Sequence, residues 1–149
     1  VAGAIGSLFL DGIPVIAFNA AYDFSVLHHE MLRYNIAHGE LPAGHILDPY
    51  VIHKHVIPRK RGNRKLETLT AEHGLVLENA HTSKADALAA ERLLVKLAER
   101  FPEIATDAAA LHTHQVQWSL DQARDFQDWL RTKPGKENEV IDGRWPIRR

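Results

Sequence analysis

Apolar residues fall into short continuous runs in the first third of the chain and into helical spacing after it. Pro14 to Phe18 (PVIAF) follows the Asp11-Gly12 turn and has the pattern of a short strand buried on both faces. The run breaks at Asn19, a residue type suited to a helix N-cap, and Phe24, Leu27, Met31 and Tyr34 then recur at helical spacing. His45 to Asp48 predicts a second strand, closed by Pro49, and Val51 to Ile57 reads as a helix against the preference of its β-branched residues. Leu66 to His73 predicts a short helix stopped by Gly74, and Val76 and Leu77 read as buried. A long helix is expected from Thr82 to Arg100, ended by Phe101-Pro102. The next helix presents Val116, Leu120, Ala123, Phe126 and Leu130 as its apolar positions and stops at Pro134-Gly135. In the tail, Trp145 is expected to dock on the body. The opening VAGAIGSLFL reads as the last turns of a helix already under way. The order is α-β-α-β-α-α-α, a helix-rich α/β domain whose early strands are expected to be missing.

Composition narrows the class. The chain has 149 residues, 45% of them hydrophobic and 25% charged, and a formal net charge of -1, the profile of a globular, soluble domain able to bury a core. Nothing in that balance advertises a polyanionic partner, so nucleic-acid binding would rest on a local patch. The absence of cysteine excludes a disulfide framework and a thiolate zinc site, and makes a reducing cytoplasm the default location. No apolar run is long enough to span a bilayer, so no membrane partner is expected.

Two stretches carry chemistry. Side chains at the carboxyl end of a strand in an α/β sheet face the crevice where ligands bind, which puts Asn19 and Asp23 of AFNAAYDFSVL near such a crevice. Equally, Asp23 is a residue type that favours the positive end of a helix and faces solvent there. In NAHTSKADALAA, His81 precedes the long helix, Asp86 lies five residues on, and the surrounding alanines keep the helix slim enough for a second backbone to approach. A carboxylate at such a place can bind a hard cation and a His can take a proton from water, or the pair is a cap and a surface acid. The loop PRKRGNRK gathers Arg59, Lys60, Arg61, Arg64 and Lys65 around Gly62-Asn63, either as a guide for a phosphate backbone or as a solvated loop. Ten histidines invite zinc, yet His28-His29, His53-x-His55 and His112-x-His114 lack a third close ligand.

Together, AFNAAYDFSVL and NAHTSKADALAA resemble the second and third motifs of the DEDD exonucleases, in the His-bearing branch that includes the proofreading epsilon subunit of bacterial DNA polymerase III. ILDPYVI, the basic loop and KLETLTAEHGLVLENAH are similar to that family in order and spacing. The resemblance implies a ribonuclease H-like exonuclease fold over 1–102, lacking its N-terminal strands, with a helical extension and tail at 103–149. It implies a 3'-5' exonuclease that hydrolyses phosphodiester bonds at nucleic-acid 3' ends with two Mg2+ or Mn2+ ions. Asp23 and Asp86 match the metal-binding carboxylates and His81 the general base, while Asn19 is expected as a cap beside the site on the nucleic-acid-binding side, with Arg61 and Arg64, by the charge of their loop, as the contacts to the nucleic-acid backbone. Asp48 matches a position that organises the site without binding metal. Single-stranded DNA or a 3' end, with RNA as the other substrate class, and DNA polymerase III are the implied partners.

One departure stands out. The family's first motif, Asp-x-Glu on the first strand, supplies two of the four carboxylates, and no Asp here is followed two residues later by Glu. Two carboxylates are few for a magnesium pair, which demands near-octahedral oxygen geometry. The chain is therefore expected to be the C-terminal portion of an exonuclease, inactive as it stands. The reading from a different class is a non-catalytic domain that binds a nucleic-acid end or a polymerase.

Overall fold

The computed structural model describes residues 1–76 and 82–149. The protein is a mixed α/β chain, mostly helical, with two short parallel strands. Helix α1 (Ala2–Leu10) leads through a turn into β1 (Val15–Ile16), and α2 (Ala20–Arg33) follows at once. After a 3-10 turn comes β2 (Ile46–Leu47), with Val15 opposite Ile46 and Ile16 opposite Leu47. The remaining helices are α3 (Pro49–Val56), α4 (Leu66–Glu72), α5 (Ser83–Arg100) and α6 (Ala108–Arg131).

Strand geometry explains how so small a sheet organises the molecule. Successive side chains on a strand point to opposite faces, so Ile46 and Leu47 enter two different cores. Leu47 joins Ile52, Leu69, Leu93, Leu97, Ile104 and Leu111, a cluster built from α3, α4, α5 and the start of α6. Ile46 joins Phe9, Ala20, Ala21, Phe24, Val51 and Trp145, which ties α1 and α2 to the tail. Residues beyond Phe101 thus share both cores with residues before it, and Trp118 packs against each. Phe9 lies so close to Gly44 that a Cβ there would sit 2.1 Å from its ring, so the loop before β2 passes under α1 only as glycine.

The expected elements are present with shifted edges, and several details differ. Asn19 stands at the N-cap of α2, but its side chain makes no capping bond; its backbone is left-handed, φ 60° and ψ 45°, a conformation asparagine tolerates better than most residues. In α6 the buried positions are Leu111, Gln115, Ser119 and Ala123, whereas Val116, Leu120 and Phe126 are 36%, 43% and 47% exposed. Of the expected apolar positions Ala123 is buried as expected, while the rest of the buried stripe includes Gln115, because β2 needs a hydrogen-bonding side chain against its edge. Val76, expected to be buried, is 79% exposed, and Leu77 lies outside the described residues. Trp145 docks as expected, at 6% exposure. Among the described residues, no helix is long and apolar enough to cross a membrane.

Candidate nucleic-acid and metal site at the strand ends

Parallel strands place ligands beyond their carboxyl ends, and beyond each strand here stands a helix N-cap, Asn19 three residues after β1 and Asp48 directly after β2. At the end of β2, Asp48 is fully buried and its carboxylate serves two helices. One oxygen accepts from the backbone N–H of Asn19 at 2.8 Å and of Tyr50 at 2.9 Å; the other accepts from Ala20 N–H at 2.9 Å and from Trp145 Nε1 at 3.3 Å. It therefore supplies the cap that the Asn19 side chain leaves unmade, and caps its own helix, α3, as well. Burial pushes the Asp48 pKa up to about 6, and the bonds from Asn19, Tyr50, Ala20 and Trp145 pull against that rise.

The outer edge of β2 is closed by side chains of α6. Gln115 Oε1 accepts from Asp48 N–H at 2.6 Å, and its Nε2 donates to the carbonyls of Ile46 at 3.1 Å and Leu111 at 3.0 Å. His112 Nδ1 accepts from Ile46 N–H at 3.0 Å, and burial holds its pKa below the ordinary histidine value. A neutral ring is the form that accepts this bond.

The residues singled out by sequence are dispersed around this hub. Asp23 lies in the first turn of α2 and is exposed, facing a groove of ≈ 450 Å³ between α1 and α2 lined by Ile5, Phe24, Met31 and Tyr34. Asp86 is half-buried in the first turn of α5, below the Thr82 cap whose hydroxyl accepts from Ala85 N–H at 3.3 Å. His81 lies outside the described residues. Among the described residues, no three His, Cys, Asp or Glu side chains gather as a metal-binding group.

Asn19 faces a different hollow, a polar recess of ≈ 50 Å³ shared with Asp48, Tyr50, Lys54, Trp145 and Arg148. Lys54 is half-buried over the Tyr50 ring, with its Nζ 5.3 Å from the centroid. Burial and then the neighbouring Arg64 and Arg148 lower its pKa. No motif marked Lys54 or Arg148 in the sequence, because they meet only when the tail folds back over α3.

The basic loop divides. Arg64 is turned inward, its guanidinium donating to His53 Nδ1 at 2.6 Å and to the carbonyls of Ile57 at 2.7 Å and Pro58 at 3.1 Å. Since arginine only donates, the His53 ring is neutral with its proton on Nε2. Burial, followed by the charge of Arg64, pushes its pKa down to about 4. Lys60 also turns in, bonding the carbonyls of Arg61 and Asn63 at 2.8 and 2.9 Å and pairing with Glu72 at 2.9 Å. Arg59, Arg61 and Lys65 remain exposed. The loop is thus held by two of its cations and presents three.

Comparison with family models, with curated proteins and with solved structures returns no match.

Proposed function

We propose that the chain carries the second and third motifs of a His-bearing DEDD 3'-5' exonuclease, acting on nucleic-acid 3' ends in the cytoplasm, in proofreading or repair and in association with a polymerase such as DNA polymerase III. One arrangement supports the reading: an apolar strand runs directly into a helix with Asp23 in its first turn, and α5, which packs on that strand, carries Asp86 in its own first turn. In this reading Asp23 and Asp86 are the oxygen donors for Mg2+ or Mn2+, His81 is the proton acceptor, and Arg61 meets the substrate backbone.

The described donors do not by themselves fit a pair of such ions. Two carboxylates, one exposed and one half-buried, fall short of the oxygen set that magnesium requires. No hydrolytic step is therefore assigned to this chain alone. The test pairs two measurements on the whole chain. Paramagnetic Mn2+ should broaden the NMR signals of Asp23 and Asp86 over one range of concentration, and Asp23→Asn should remove both effects. Broadening at only one of them, or at neither, overturns the reading. End-labelled single-stranded DNA in Mg2+ should stay intact; shortening from the 3' end that His81→Ala abolishes would show that these donors suffice. Intact DNA that is bound without any Mn2+ effect would favour the non-catalytic binding module.

A further inference from the structure

The recess beyond the strand ends has a chemistry that the exonuclease motifs do not use. Its cations come from two elements far apart in sequence: Lys54 from the last turn of α3 and Arg148 from the tail, which is fixed there by a bond from its backbone N–H to Ser25 Oγ at 2.8 Å. The acids around it are occupied. Asp48 spends its carboxylate on Asn19, Ala20, Tyr50 and Trp145, and Asp142, which also lines the recess and feels the charge of Arg148, is paired with Arg144 at 2.7 Å. Neither Lys54 nor Arg148 forms an ion pair within 4 Å of a carboxylate among the described residues. Lys54 is moreover partly withdrawn from water and feels Arg64 and Arg148, against the attraction of Asp48, a position in which an incoming anion gains a partner and relieves the repulsion of the two arginines. At ≈ 50 Å³ the recess has room for a group the size of a single tetrahedral oxyanion.

We propose that this recess is a phosphate subsite, in which Lys54 and Arg148 hold one phosphate group of a nucleotide chain beside Asn19 and Tyr50. The inference rests on the reading in Proposed function only for the source of the phosphate.

The experiment is a pair of NMR titrations of the whole chain, one with inorganic phosphate and one with a short oligothymidylate. Both probes should move the amide signals of Asn19, Tyr50, Lys54 and Arg148. Lys54→Gln and Arg148→Gln should each weaken oligothymidylate binding by about five- to tenfold and lower its salt slope by about one. Lys54→Arg, which keeps the charge, should bind as the parent does, and so separates lost charge from lost fold. Phosphate binding at these residues without oligothymidylate binding keeps the subsite and removes the nucleic-acid source. Oligothymidylate binding that neither Gln variant weakens overturns the subsite and leaves the nucleic-acid reading standing. Silence with both probes overturns the subsite and the nucleic-acid reading together.

Discussion

The two flanks of the strand pair are built to opposite rules. On the β2 side the strand edge and the helix starts are served by side chains: Gln115 and His112 close the strand edge, and Asp48 caps two helices while receiving Trp145. On the β1 side no further strand is present among the described residues, and α1 carries no charged residue while leaving Leu8 37% and Leu10 77% exposed. Both flanks hold an aspartate just past a strand, but Asp48 is consumed by the fold and Asp23 faces outward. A carboxylate with four donors around it has little capacity left for a ligand, whereas an exposed one contributes little to stability. Position after a strand therefore does not by itself leave an aspartate available to a ligand; what else the fold asks of it decides.

That contrast can be broken at its strongest point first. Asp48→Ala leaves four donors without their acceptor and should cost on the order of 3 kcal/mol or more in urea unfolding. A cost below about 1 kcal/mol would mean that water replaces the carboxylate and the hub is not structural. Gln115→Leu keeps the volume but strands Asp48 N–H and the Ile46 carbonyl, for an expected loss of about 2 kcal/mol by the same assay. On the other flank, Gly44→Ala drives a Cβ into Phe9 and should cost about 1 to 3 kcal/mol, with faster hydrogen exchange confined to α1. Exchange that rises equally in α5 would show that the two flanks are one cooperative unit.

Acidity sharpens the comparison with a smaller effect. The Asp48 pKa of about 6 lies above the ordinary 3.8, so its protonation favours the native state; that contribution is complete below about 4 and is lost as pH rises through about 6. His53, His55, His73 and His112 are shifted down from 6.5, His53 to about 4, so their contribution is present above 6.5 and is lost as pH falls, through about 4 for His53. Between pH 7 and 5 the two trends oppose. Asp48→Ala, with only the histidine trend left, should lose stability on acidification more steeply than the parent in urea midpoints at pH 7, 6 and 5. Equal slopes would refute the raised pKa. Smallest of all, Asp23→Asn should leave the melting midpoint where it is, since the side chain is exposed.

Much of the architecture was legible because it is local. Leu66 to Glu72 and Ser83 to Arg100 follow from helical spacing and from Gly74 and Thr82 at their ends, and the continuous runs at Val15 and Ile46 mark the strands. What stayed hidden depends on contacts across long stretches of chain. A scan for apolar periodicity cannot choose Gln115 as a core position of α6, since its burial follows from the hydrogen-bonding needs of a strand about 70 residues earlier. Asn19 was recognisable as a helix start, but its left-handed backbone and the borrowed cap from Asp48 belong to the assembled fold. In the same way Arg64 looked like its neighbours in a charged loop, although the carbonyls of Ile57 and Pro58 at the end of α3 draw it inward. Of the candidate site, the positions of Asp23 and Asp86 in first turns follow from the motifs, while the Lys54 and Arg148 recess had no local signature.

The bond from Trp145 to Asp48 spans 97 residues, and the bond from Asp48 to Gln115 spans 67. During synthesis the chain leaves the ribosome from its N-terminus, so Asp48 emerges long before either partner. Its carboxylate can cap α2 and α3 once both have emerged, but it lacks the Trp145 bond until the tail has been made. Closure of so long a loop is an entropic cost that falls late and in one step. The protein therefore covers its central cap only after translation has passed Trp145, and a nascent chain halted before that point keeps the Asp48 carboxylate in reach of water.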